Sequence, residues 1–190
     1  MFRRGFKAWC EETAFNVRQH QGLPATAPLS PHLLASELQV AVVQPSDLKD
    51  LPSDVCRRLL GKHSDCWSAL TIPGKRPLIV YNPAHSAARQ NSDLMHELAH
   101  VLLGHKPTRV FIDPHTGLAL RTHDKEQEEE ASWLAGSLML PREVLLHIKA
   151  NSVSDEAACR QYGVSAKMLT YRMNVSGVNI QHKRAQGWRR

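Results

Sequence analysis

No two of the four cysteines, Cys10, Cys56, Cys66 and Cys159, form a C-x-x-C pair. That scatter argues against a cysteine zinc cluster or a disulfide framework, and a reducing cytoplasm is the expected setting. No apolar run approaches the ~18–20 residues that a membrane-spanning helix needs. The N-terminal "MFRRGFKAWCEETAF" has no uninterrupted apolar stretch and no small-residue cleavage site, so it does not read as a signal peptide. Internal repeats are absent, and the acidic cluster 126–130 is the only biased segment. A basic surface for nucleic acid is also poorly supported. The net charge is +6, but Lys183, Arg184, Arg189 and Arg190 lie in the last eight residues, and without them about +2 remains. What is present is ordinary for a globular protein. At 190 residues, 42% hydrophobic and 22% charged, the chain can build one sizeable core or one domain with a small appendage.

Residues 3–20 carry Phe6, Trp9, Cys10, Thr13 and Val17 near one face and predict an amphipathic helix. "GLPATAPLSP" breaks it, and "PHLLASEL" predicts a second short helix. "QVAVVQP" (39–45), "WSALTIP" (67–73) and "PLIVYN" (77–82) read as short strands flanked by proline or polar turn residues. Between the first two lies "DLKDLPSDVCRRLLGK", helical in its second half. A helix follows the third strand, with Asn91 or Ser92 as its cap, Asp93 in its first turn and Gly104 at its end. A short hairpin around "RVFI" and "LALR", a helix from about Asp124 to Leu140 stopped by Pro141, and a helix over 141–150 come next. Residues 154–175 predict two helices joined at "YGVS". The fold class is α+β: a small, mostly antiparallel sheet packed on the central helix and on the later acidic one, followed by C-terminal helices.

The central helix carries "LMHELAHVLLGH" (94–105), which contains the H-E-x-x-H signature. His96 and His100, four residues apart, share a face and can address one ion. The remaining positions, Leu94, Met95, Leu98, Ala99, Val101, Leu102 and Leu103, are apolar nearly all round. Such a helix is buried, and two histidines and a glutamate on it need polar partners, which a metal ion supplies.

Catalytic zinc usually takes three protein ligands. The metzincin pattern would need a glycine and a histidine where the chain has Leu103 and Lys106, so that class is excluded. His105 sits beside the helix-ending glycine, where its reach as a ligand is poor. The other common solution is a glutamate from a second helix, and "DKEQEEEASWLAGSLMLP" offers Glu126, Glu128, Glu129 and Glu130. Ala131, Leu134, Ala135 and Leu138 mark the buried face. Glu128 falls on that face, whereas Glu129 and Glu130 are turned away by about 100° and 200°. Glu128 is therefore the expected third ligand, with Glu130 and Glu129 next in line. Zinc held by His96, His100 and Glu128 would lower the pKa of a water toward ~7, and Glu97 would serve as general base and then proton donor. Tyr81, Tyr171, His123 and His147 are candidates for steadying an oxyanion, and Ser132 lies on the face suited to orienting the histidines. The metal expected is Zn2+, with another divalent ion such as Mn2+ as the alternative.

These residues resemble the ImmA/IrrE-type metallopeptidases. The resemblance covers nearly the whole chain and is carried by "ARQNSDLMHELAHVLLGH" (88–105), "EEEASWLAGSLMLP" (128–141) and "QYGVSAKMLTYRM" (161–173), with "WSALTI" and "PLIVYNPAHSAARQ" leading into the helix. It implies that His96, His100 and Glu128 hold zinc and that Glu97 is catalytic. It also implies selective cleavage of a transcriptional repressor, typically with a helix-turn-helix domain, in phage, mobile-element or stress regulation. The chain departs from the family's habit at Ser132, where Asn or Asp is common, and at Ser92–Met95, where Phe-Thr often precedes the motif.

A rival reading comes from "DEAACRQYGVSAKMLTYRM", in which Gly163 makes a turn, Val164 plugs the core and Ser165 caps the next helix, as in a helix-turn-helix. Lys167 and Arg172 could then face phosphates, making the chain a DNA-binding regulator. A metal-bound interaction module without catalysis is the third class, and the intact Glu97 speaks against it. The expected organisation is a zincin-like domain over 1–150, with 1–31 as N-terminal helix and linker, a helix-turn-helix-like extension over 151–180 and a basic tail over 181–190. The expected partner is a protein substrate, with nucleic acid less favoured and no membrane.

Overall fold

The structure, a computed structural model, describes residues 2–61, 64–105, 110–112, 119–121 and 124–187, with backbone only for 110–112, 119–121 and 185–187. The chain opens with α1 (Phe6–His20) and α2 (Pro31–Glu37), which Ser30 caps by accepting from the Leu33 N–H. Strand β1 (Ala41–Val43), helix α3 (Ser53–Leu60), and strands β2 (Ala69–Ile72) and β3 (Leu78–Tyr81) follow. The three strands form one mixed sheet in the order β1-β3-β2. β1 runs parallel to β3 with Val42 opposite Ile79, and β2 runs antiparallel to β3 with Thr71 opposite Ile79. The parallel pair requires a crossover, which α3 and β2 supply.

Helix α4 (Ala87–Leu103) carries the HELAH residues and packs on β2, β3 and α2. Its N-cap is Ser86, five residues before Asn91 and six before Ser92, the two expected caps. The loop ahead of it explains the shift. The Asn82 carboxamide, buried at 1% exposure, binds the carbonyls of Ser64 and Trp67 and the N–H of Ala84. Gln90 Nε2 donates to the carbonyls of Pro83 and His85. Asp93 is then a mid-helix residue, held 3.2 Å from His85 Nδ1 and 3.8 Å from Arg89 Nε.

The hairpin reading holds as β4 (Val110–Ile112) antiparallel to β5 (Ala119–Arg121). Helix α5 (Lys125–Met139) is capped by Asp124, whose carboxylate accepts from the Glu126 and Gln127 N–H groups. It packs between α4 and α1 and is buried along its second half, from Trp133 to Met139. Next come α6 (Arg142–Ala150), α7 (Asp155–Tyr162) and α8 (Ala166–Val175). The α7–α8 turn is built as the residues imply. Gly163 is left-handed at φ 60, Val164 is buried, and Ser165 accepts from the Met168 N–H. A final helix, α9 (Val178–Gly187), occupies residues that the sequence reading divides between the extension and a basic tail. α9 packs on α6, and Arg142 donates to the Ser176 carbonyl and to Gln181 Oε1.

One core cluster runs from Phe6, Cys10 and Ala14 on α1 through Leu94 and Leu98 on α4 and Leu134 and Leu138 on α5. It continues to Ala158, Leu169 and Met173 on α7 and α8. Two buried arginines stitch its rim. Arg18 donates to the carbonyls of Ala14, Ala27 and Leu138. Burial pushes its guanidinium down to about 10, which keeps it protonated at neutral pH. Arg172 is fully buried, donates to the Leu140 carbonyl and pairs with Glu11 at 2.7 Å. The expectation that Arg172 faces phosphates is therefore overturned. Its helical face is shared with Leu169 and Met173, so its side chain enters the core and finds its counter-charge on α1.

Candidate metal centre

α4 and α5 lie side by side, and their facing residues meet at a cluster of nitrogen and oxygen donors. His96 Nε2 stands 3.0 Å from Glu128 Oε2 and 3.1 Å from His100 Nε2, and His100 Nε2 stands 3.6 Å from Glu128 Oε1. All three are half-buried. Burial, together with the neighbouring His96, pushes the His100 imidazole down to about 4, so at neutral pH it is an uncharged donor.

The donor spacing tests whether a cation fits. Ligand bonds of ~2.0–2.1 Å in a tetrahedral ion separate the donors by about 3.3 Å. His96 Nε2 lies close to that distance from both His100 Nε2, at 3.1 Å, and Glu128 Oε2, at 3.0 Å. His100 Nε2 is 3.6 Å from the other carboxylate oxygen, Oε1, and one donor atom from each residue falls within 4.8 Å of the others. Two imidazoles and one carboxylate are also the donor types that divalent zinc and its neighbours accept. The group can hold a metal ion.

Around the cluster each residue has a definite partner. Ser132, one turn past Glu128, places Oγ 3.4 Å from His96 Nδ1. Glu97 accepts from Thr71 Oγ1 on β2 at 2.5 Å. Strand alternation sends Leu70 and Ile72 to the other face of β2, where they line an apolar cavity of about 480 Å³ with Leu59 and Trp67. The other acidic residues of α5 go elsewhere. Glu129 lies 3.9 Å from Lys125, and Glu130 lies 3.3 Å from His105 Nε2. Tyr81 accepts from Gln44, His147 meets Asn151, and Tyr171 stands on the exposed side of α8. His123 lies outside the described residues.

Thr71 and His105 are the residues near this cluster that the sequence reading leaves without a part. For Thr71 the signal was the alternation of "ALTI", which puts its hydroxyl on the face opposite Leu70 and Ile72. For His105 it was Gly104, whose left-handed conformation turns the chain back on the last turn of α4.

Residues 54–174, well over half the chain, match the Peptidase_M78 family, described as the IrrE N-terminal-like domain. The chain belongs to this peptidase family. The matched span contains β2, β3, α4, α5 and all but the last residue of the α7–α8 pair, and with them every residue of the cluster. No curated protein sequence matches the chain. Membership makes it a peptidase of the IrrE/ImmA type, for which a metal ion at His96, His100 and Glu128 is the consistent reading. Among the described residues no helix is long and apolar enough to cross a membrane.

Proposed function

We propose that this peptidase is a zinc-dependent endopeptidase in which His96, His100 and Glu128 are the metal ligands and Glu97 is the catalytic base. The observation that carries the reading is the convergence of one donor atom each from His96 and His100 on α4 and Glu128 on α5, all within 4.8 Å of one another. A divalent cation bound there supplies a Lewis acid that acidifies water and polarises a carbonyl. The chain's own residues do the rest. Glu97 follows His96 on α4, and Thr71 occupies its Oε2. Oε1 is then the oxygen that takes the proton from the attacking water and passes it to the leaving amine. Thr71 fixes the carboxylate rotamer through that bond, so the base is oriented before substrate arrives.

Among the described residues the sheet order β1-β3-β2 leaves β2 at an edge, with Thr71 on that strand touching Glu97. An extended peptide adding to this edge would run past the base, which favours a backbone substrate over a small amide. The resemblance to ImmA/IrrE-type peptidases supports a helix-turn-helix repressor as that substrate, in the regulation of phage, mobile elements or stress responses. The test is incubation of the zinc-loaded chain with helix-turn-helix repressors encoded beside it, with Glu97→Gln as control. Cleavage by wild type and none by Glu97→Gln is the expected result. Equal cleavage by both would remove Glu97 from the chemistry.

DNA binding by α7 and α8 loses support from their packing. Arg172 is buried, and Asn91 of α4 donates to the Gly163 carbonyl in the turn between them at 3.2 Å. The turn is thereby docked on the helix that carries the histidines, which suits a packing module of the peptidase.

A further inference from the structure

The end of α4 folds back on the metal cluster. Gly104 takes φ 64, and the N–H of His105 returns to the His100 carbonyl at 3.0 Å. This cap brings His105 Nδ1 to 2.9 Å from His100 Nδ1 and His105 Nε2 to 3.3 Å from Glu130 Oε2. The His105 side chain is 8% exposed, so these two groups rather than solvent satisfy its ring. Three side chains thus stand in a line that begins at a carboxylate and ends at the donor cluster.

Only one proton arrangement satisfies that line when His100 is a ligand. A neutral imidazole carries one N–H, and a ring that offers the lone pair of Nε2 carries it on Nδ1. His100 Nδ1–H must then donate to His105 Nδ1, which has to accept. The proton of His105 is left on Nε2, where the Glu130 carboxylate, an acceptor only, receives it. Each tautomer is dictated by its neighbour, and reversing either would set N–H against N–H or lone pair against lone pair.

We infer that His105 and Glu130 are positioning residues that lock His100 in its Nδ1–H tautomer and aim its Nε2 at a metal ion. This inference rests on the metal-site reading above. It gives Glu130 a part distinct from that of Glu128, two residues earlier on the same helix. It also separates the two histidines of the motif. His96 leans on a hydroxyl, Ser132 at 3.4 Å, whereas His100 leans on a carboxylate relayed through a second imidazole. Outer partners of this kind orient the ring and raise its basicity.

Zinc affinity of the full chain, measured by competition with a chromophoric chelator, tests the assignment in wild type, His105→Ala, His105→Asn, Glu130→Gln and Glu129→Gln. His105→Ala should weaken zinc binding by about 10–100-fold, the usual cost of removing an outer partner. His105→Asn should recover most of that loss, because Asn Oδ1 can accept where Nδ1 did. Glu130→Gln should fall between these, and Glu129→Gln should match wild type. Imidazole nitrogen NMR of the zinc-loaded wild type should show His100 protonated on Nδ1 and His105 on Nε2. That measurement needs no variant to fold. Wild-type affinity in a folded His105→Ala, or a His105 protonated on Nδ1, would overturn the relay while leaving the metal site intact. Wild type that takes up no zinc would overturn the metal reading itself, and the relay with it.

Discussion

Arg172 on α8 and Glu11 on α1 are 161 residues apart in the chain, and their side chains meet at 2.7 Å. The same carboxylate accepts from the Arg142 N–H at 2.8 Å and from Ser137 Oγ at 3.4 Å, so it joins α1, α5, α6 and α8. Removing one partner of a buried pair leaves the other charge desolvated. Arg172→Met should therefore lower stability by about 3 kcal/mol, toward the low end for buried pairs because Glu11 retains some access to solvent. Urea denaturation of both single variants and of Glu11→Gln/Arg172→Met checks this. The double variant should lose less than the two singles together.

Thr71→Val keeps the shape of β2 and deletes the hydroxyl that holds Glu97. Metal content should be unchanged, since Thr71 touches none of the three donors. Turnover of a cleaved substrate should fall by about 10-fold, the scale of losing one positioning hydrogen bond of ~1–1.5 kcal/mol. A variant that loses metal as well as rate would show that Thr71 supports the whole site and not the base alone.

Gly163 sits at φ +60, and a Cβ added there would come 2.6 Å from Asn91 Nδ2. Gly163→Ala meets both a left-handed backbone and a side chain in contact, so a loss of about 2 kcal/mol is expected. Asn91→Ala in the same chain removes the obstruction together with the hydrogen bond to Gly163. The pair should be closer to the Asn91→Ala single variant than additivity predicts, as thermal denaturation would reveal.

Cys10 is fully buried, and that burial, with Glu11 beside it, pushes its thiol up to about 12. The folded chain should leave Cys10 unreacted with a thiol reagent at pH 8, while exposed Cys66 reacts first. A folded pKa above the unfolded value of 9.0 also means that the unfolded chain releases its proton sooner as pH rises. The contribution of Cys10 is thus complete below pH 9 and is lost between about 9 and 12. Cys10→Ala should flatten the fall of melting temperature across that window.

Much of the fold was legible because its signals are local. "QVAVVQP", "WSALTIP" and "PLIVYN" are short β-branched runs between prolines and turn residues, and each contains a strand. Gly104 and Gly163 stop helices because only a residue without Cβ takes their left-handed conformation cheaply. The apolar stripe of α5 singled out Glu128 from four glutamates, and Glu128 is the one whose carboxylate faces both histidines. What escaped depends on distant partners. Ser86 begins α4 because Asn82 and Gln90 shape the preceding loop, and neither bond leaves a periodic trace. Arg172 looked like a surface cation because its counter-charge lies at the other end of the chain. α9 has scant apolar periodicity of its own and is secured through the Arg142–Gln181 hydrogen bond and the buried Val178.

α1 precedes the span that matches the family, yet it packs along α5, the helix that presents Glu128. Phe6, Cys10 and Ala14 are among the most deeply enclosed residues of the molecule, and Glu11 supplies the negative charge opposite Arg172. A fragment trimmed to residues 54–174 would keep every donor of the metal cluster while baring one side of α5 and orphaning a buried guanidinium. The borders of the family match are therefore not seams along which this molecule can be cut.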